Sequence, residues 1–144
     1  MNPSVWGPGT WELIHATSLN LPISPSEKTK NNYILFYENL QYTLPCETCR
    51  LHYINIFKSN PIDEYLISSD HLFYWTWKIH NLVNQNTKNN IMSYDLAIRK
   101  YNRLYGINIK RVIQEEDTTS NYHNTNNIYF TQYRKNGYGH RRYG

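Results

Sequence analysis

Cys46 and Cys49 are the only cysteines in the chain, and two residues separate them within Leu44-Pro45-Cys46-Glu47-Thr48-Cys49-Arg50. At the start of a helix this spacing holds two thiols within disulfide reach. The unpaired amides of a helix N-terminus then favour thiolate over thiol. A redox dithiol is one reading. The other is half of a tetrahedral zinc site, with two imidazoles drawn from His15, His52, His71 and His80. The spacing alone leaves both open, although no H-x₃₋₅-H pair answers the cysteines.

The surrounding sequence sets the frame for that pair. With 144 residues the chain is long enough for a single domain with one buried core. Its aromatic fraction is 15%, with 14 Tyr and 4 Trp, enough to build a core, stack on a planar ligand or stack on bases. The formal charge is +4, much of it in Arg134-Lys135 and Arg141-Arg142, too little to argue for nucleic-acid binding. Neither a basic-then-apolar leader nor a run of about 18 apolar residues occurs. A soluble protein made in the cytosol is the expectation, and in a reducing compartment a C-x-x-C pair points to redox or metal chemistry before a structural staple.

Periodicity reads as helix after helix, which argues against the βαβ alternation of a thioredoxin-like chain. Met1 to Pro8 reads as a loop, with Thr10 capping a first helix from Trp11 to about Leu19. Trp11, Ile14, His15 and Ser18 share one face of it; in the plain structural reading the Trp is core and the His is hydrogen-bonded beside it. Ser24-Pro25-Ser26-Glu27 has the form of a capping box with proline first, and the helix after it carries Tyr33, Tyr37, Leu40 and Leu44. Pro45 interrupts this pattern. A third helix then begins at Cys46 and runs to about Phe57, with Cys49, Tyr53 and Phe57 or Ile56 inward, until Asn60-Pro61 ends it.

The fourth helix, Leu72 to about Asn86 behind the cap cluster Ser68-Ser69-Asp70, has two faces. Leu72, Trp75, Ile79, Leu82 and Val83 form an apolar stripe. Trp77, His80, Asn81 and Asn84, continued by Lys88, form a second one of hydrogen-bonding groups. Amides and imidazoles are costly in a plain core, so this face asks for a polar ligand. Ser93 caps a fifth helix ending near Tyr105, with Gly106 as its stop. Residues 111–144 are basic and rich in Asn, Tyr and Gly without a sustained period, and read as a poorly ordered extension of a domain spanning 1–110.

Trp6-Gly7-Pro8 with Trp11 and His15, then Cys46-Glu47-Thr48-Cys49, then Trp75 followed by His80-Asn81 and Val83-Asn84, occur in an order and spacing that resemble the Erv/ALR family of flavin-dependent sulfhydryl oxidases. The likeness runs from about Trp6 to Tyr105 and looks closest to the short forms carried by large DNA viruses. It implies an all-α fold, a four-helix bundle with a short fifth helix, FAD at the bundle mouth and a homodimer. Residue by residue, it makes Cys46 and Cys49 the redox disulfide and puts Gly7, Trp11, His15, Tyr42, His80, Asn81 and Asn84 among the FAD contacts. Lys88 would stand in for a basic position that the family places about one residue away. The implied reaction is disulfide formation in a substrate dithiol, which attacks at Cys46 while Cys49 sits against the flavin. Electrons then pass to O2, giving H2O2.

This sequence departs from many members in lacking a second, shuttle cysteine pair. A separate small dithiol or thioredoxin-like protein is therefore the expected electron donor. The missing leader and the viral likeness place the protein in the host cytoplasm or the virion. The competing reading is a zinc-stabilised helical module with a basic, nucleic-acid-binding tail.

Overall fold

The computed structural model describes residues 1–112, which form one compact unit of helices. The helices are α1 (Pro3–Leu19), α2 (Glu27–Thr43), α3 (Glu47–Ser59), α4 (Ser69–Asn86) and α5 (Tyr94–Tyr105), with a short 3₁₀ turn at Asp63–Tyr65 before α4. Among the described residues there is no strand, and no helix is long and apolar enough to cross a membrane. The expected 111–144 extension lies outside the described residues except for its first two positions.

Helix α1 starts eight residues earlier than the sequence suggests. Asn2, not Thr10, is its cap, taking the Ser4 amide at 3.0 Å, and Pro3 occupies the first turn. A proline there removes a donor that would have no partner anyway. Pro8 falls inside α1 without ending it. The Thr10 hydroxyl turns back to donate to the Trp6 carbonyl at 3.1 Å. Trp6 and Gly7 are thereby carried on the same helix as Trp11.

The other boundaries follow local chemistry more closely. The cap of α2 is Ser26, which accepts from the Thr29 amide at 3.2 Å, so Pro25 precedes the helix and no Ser24–Glu27 box forms. Ser68 caps α4 and Ser93 caps α5. Gly106 closes α5 at a φ of 63°, a left-handed conformation that costs glycine little.

Helix α4 is the centre of the fold, packing against α1, α3 and α5, while α2 packs on α3. One side of α4 gives Leu72, Trp75 and Ile79 to a core shared with Ile14, Tyr37, Tyr53 and Ile56. The opposite side gives Phe73 and Tyr74 to a second cluster with Tyr94, Ala97 and Tyr101 of α5. Tyr37 and Phe57 meet the Trp75 ring edge-on, at 5.1 and 6.0 Å between centroids. Such pairs add about 0.5–1.5 kcal/mol each beyond burial. Their polar ends are satisfied too: the Tyr37 hydroxyl donates to Ile14 O at 3.0 Å, the Tyr53 hydroxyl to Tyr37 O at 2.8 Å, and the Trp75 indole to Asn60 O at 3.0 Å.

Candidate active site: a disulfide on the wall of an aromatic cavity

Cys46 and Cys49 are joined in a disulfide with Cα atoms 5.2 Å apart. Cys46 is the N-cap of α3, where its sulfur accepts from the Cys49 amide at 3.2 Å, and Cys49 lies in the first turn. Both sulfurs thus sit at the positive end of a helix, which stabilises whichever becomes a thiolate on reduction. Upstream, the turn is held by Arg50, whose guanidinium donates to Leu44 O at 2.6 Å.

Beside the pair lies a cavity of about 590 Å³ bounded by all five helices. That volume is within the usual range for small-molecule sites, about 300–1,000 Å³. Trp6, Gly7 and Trp11 of α1, Leu40 of α2 and its C-cap Leu44, Cys49 and His52 of α3, His80, Val83 and Asn84 of α4, and Lys100 and Tyr101 of α5 contribute to its wall. Cys49 reaches the cavity and Cys46 does not. The Trp11 and His80 rings stack nearly parallel, 3.9 Å between centroids and 6° between planes.

Behind His80 runs a buried polar chain. His80 Nδ1 lies 3.0 Å from His15 Nε2, and His15 Nδ1 lies 2.9 Å from the Thr76 hydroxyl. Burial, and then the electrostatic repulsion that would arise with His80 and Lys100, lowers the His15 pKa from 6.5 to about 3. Burial and then Lys100 lower that of His80 to about 4. Both rings are neutral at physiological pH.

The residues expected at the site divide by their place relative to the cavity. Gly7, Trp11, His80, Asn84 and Cys49 line the cavity. His15 is one step behind the wall. Asn81 is nearby but its amide is engaged by the chain itself, donating to Met92 O at 2.8 Å and accepting from Met92 N at 3.1 Å. Trp77, of the same polar stripe, also donates to Met92 O, at 2.8 Å. Asn84 donates to Asn90 O at 3.1 Å. Part of the polar stripe on α4 is therefore satisfied by the segment leading into α5. Tyr42, 69% exposed, and Lys88, beyond the end of α4, are outside the lining.

Sequence reasoning passed over Lys100 and Tyr101. Lys100 directly follows the charged residue Arg99 on an amphipathic helix and looks like part of a solvated face. It was also silent on Trp6 as a wall residue, because the segment before Thr10 was read as loop. Glu12, on the same wall, accepts from the Tyr101 hydroxyl at 3.5 Å and also from Tyr105, tying α1 to α5.

The lining suits a large, flat, anionic ligand. It joins apolar side chains and a stacked ring pair to the Lys100 ammonium, and the buried Trp6 indole N–H has no partner among the described residues. Among the described residues no group of three or more His, Cys, Asp or Glu is placed to hold a metal ion.

A helical bundle with a C-x-x-C disulfide set between solvent and an aromatic cavity defines a dithiol–disulfide redox protein of the all-α class. The model of the Erv1/Alr family matches residues 8–103. A protein of Acanthamoeba polyphaga mimivirus, described as a probable FAD-linked sulfhydryl oxidase, is 39% identical over 99 residues, 68% of this chain and 69% of that one. The FAD-linked sulfhydryl oxidase of African swine fever virus (isolate Pig/Kenya/KEN-50/1950) is 30% identical over 109 residues, 76% of this chain and 87% of that one. The fold is that of the FAD binding domain of Erv1 from Saccharomyces cerevisiae, with a TM-score of 0.65 at 19% identity, covering 72% of this chain and 96% of that one. The chain belongs to the Erv1/Alr family.

Proposed function

We propose that this family member is an FAD-linked sulfhydryl oxidase that converts substrate dithiols to disulfides and uses O2 as the terminal acceptor, releasing H2O2. The observation that carries the reading is the asymmetry of the pair: Cys49 borders the cavity while Cys46, bonded to it, lies outside. Viral relatives described as FAD-linked sulfhydryl oxidases support the same conclusion.

A substrate thiolate attacks Cys46 Sγ, breaking the Cys46–Cys49 bond and releasing Cys49 as a thiolate at the helix N-terminus. The substrate's second thiolate then attacks the substrate sulfur of the mixed disulfide. Cys46 leaves as a thiolate, stabilised by the first-turn amides of α3. The substrate has lost two electrons and two protons, and the pair has gained two electrons. Bound FAD supplies the two-electron step that returns the pair to the disulfide and the chemistry that reduces O2.

Trp6, Gly7, Trp11, His80, Asn84 and Lys100 are the residues we assign to holding FAD, with Lys100 facing its phosphates and Trp11 and His80 its ring systems. His15 supports His80, and Asn81 supports the wall through Met92. With only two cysteines in the chain, the electrons come from a separate dithiol, for which a small thioredoxin-type protein fits. As in the family the sequence resembles, a homodimer is the assembly we assign, and the viral relatives support a site of action in the host cytoplasm or virion.

Oxygen-electrode assay of the purified protein with a small dithiol tests the reading. Uptake of O2 with matching H2O2 and loss of thiols is the result expected; thiol loss without oxygen uptake would sink the oxidase assignment.

A further inference from the structure

The polar chain behind the cavity has a direction. Ser18 Oγ donates to His15 O at 2.7 Å, so its single proton is already committed. Thr76 likewise has one hydroxyl proton and two neighbours at 2.9 Å, the Phe73 carbonyl and His15 Nδ1. A carbonyl oxygen only accepts, so the contact to Phe73 requires the Thr76 proton. His15 Nδ1 must then carry its own hydrogen and donate to the Thr76 oxygen. Because the ring is neutral, His15 Nε2 is bare and accepts from His80 Nδ1 at 3.0 Å. His80, also neutral, is left with a bare Nε2.

The reverse order is chemically closed but poorer. If Thr76 donated to His15 Nδ1, the Phe73 contact would lose its proton, His15 Nε2–H would donate to His80, and His80 Nε2–H would project as a donor. That state satisfies one internal bond fewer in a site where Ser18, Thr76 and His15 are all buried. Nothing in the described chain bonds His80 Nε2, and His80 is part of the cavity wall, its ring fixed face-on to Trp11.

We propose that Thr76 is a positioning residue which, acting through His15, holds His80 as the Nδ1–H tautomer, so that His80 Nε2 offers the cavity a hydrogen-bond acceptor to an N–H or O–H donor of the bound ligand. This last part rests on the reading of the cavity as the FAD site; the tautomer itself does not. The relay gives α4 two positions four residues apart with one function: Thr76 sets the proton arrangement that His80 presents.

Long-range ¹H–¹⁵N correlation of the imidazoles, recorded on flavin-free and FAD-loaded protein, tests this directly. In the flavin-free chain His80 Nε2 should show the downfield shift of an unprotonated nitrogen and Nδ1 that of an N–H. On FAD binding Nε2 should move upfield as an acceptor does. Thr76→Val keeps the shape but removes both the proton and the lone pair; His80 should then show a mixture of tautomers, and FAD affinity should fall about tenfold, the scale of one lost hydrogen bond. Thr76→Ser restores the hydroxyl and should restore both readouts. A protonated Nε2 in the wild-type flavin-free chain overturns the proposal, as does a Thr76→Val protein with the wild-type tautomer. A chain that shows the Nδ1–H tautomer but binds no FAD overturns the functional reading and leaves the relay standing.

Discussion

The Cys49 amide donates to the Cys46 sulfur across 3.2 Å, so the cysteine outside the cavity caps the very helix that carries the cysteine on its wall. One backbone contact thus joins the sulfur at the helix cap to the residue whose side chain borders the cavity. It also makes the two thiols unequal once they are separated.

Cys46→Ser and Cys49→Ser are each expected to abolish dithiol turnover while leaving the cavity able to hold flavin. They should differ in reactivity. In Cys49→Ser the remaining thiol sits at the N-cap and outside the cavity, so it should react with a disulfide reagent several-fold faster than the lone thiol of Cys46→Ser. Stopped-flow release of the reagent's chromophore measures this. Faster reaction of Cys49 would reverse the assigned roles.

Asn81→Ala should lower the stability of the flavin-free protein by about 1–3 kcal/mol, because it strands the Met92 amide, from which Asn81 accepts at 3.1 Å, and leaves the Met92 carbonyl with the Trp77 indole alone. Urea unfolding gives the number. An unchanged midpoint would mean that the Asn81 side chain serves only a ligand.

Acid should destabilise the flavin-free fold earlier than carboxylates alone would cause. His15 and His80 titrate near 6.5 in the unfolded chain but at about 3 and about 4 in the folded one. As pH falls through 6.5 toward 4, the unfolded state therefore binds more protons than the folded state, and folding loses up to about 1.4 kcal/mol per pH unit for each ring. Above pH 6.5 both states are neutral at these rings and the contribution is flat. Thermal melts from pH 7.5 to 5 should show Tm steady and then declining below about 6.5; a level Tm down to pH 5 would contradict the buried neutral pair.

Lys100→Gln should weaken FAD binding roughly tenfold and flatten its dependence on salt, since a charge-assisted contact to phosphate contributes about 1.5–3 kcal/mol. Lys88→Gln should leave both unchanged, because Lys88 lies outside the lining. Fluorescence titration of FAD separates the two. Equal losses would move the basic contact away from α5.

Much of this was legible in sequence where the signal is local. Ser93 and Gly106 bracket α5 because a hydroxyl at the cap and a left-handed glycine act within one turn of their own positions. The C-x-x-C pair marked the start of α3 for the same reason. Pro8 misled because proline is so often a boundary; α1 instead runs through it, giving up the i→i−4 bond to Ser4, and so carries Trp6 and Gly7 on the helix. On α4, one apolar stripe was read and a polar one opposed to it. A helix central to the fold is covered on more than one side, so Phe73 and Tyr74 vanish into a second cluster that only α5 reveals. The amides of that helix did need polar partners, but Asn81 found them in the Met92 backbone, a tertiary contact that no periodicity encodes. Lys100 escaped notice because a lysine on an amphipathic helix carries no mark of the wall it will join.

The central claim is that the Cys46–Cys49 pair stands between a substrate dithiol and a flavin in the neighbouring cavity. Anaerobic titration of the FAD-loaded protein with a dithiol, followed by absorbance in the flavin band, tests it most directly. The account predicts that the band bleaches with one equivalent of dithiol, returns on admitting air, and does not bleach in Cys46→Ser or Cys49→Ser. Bleaching of either variant at the wild-type rate, or a protein that binds no flavin, would contradict it.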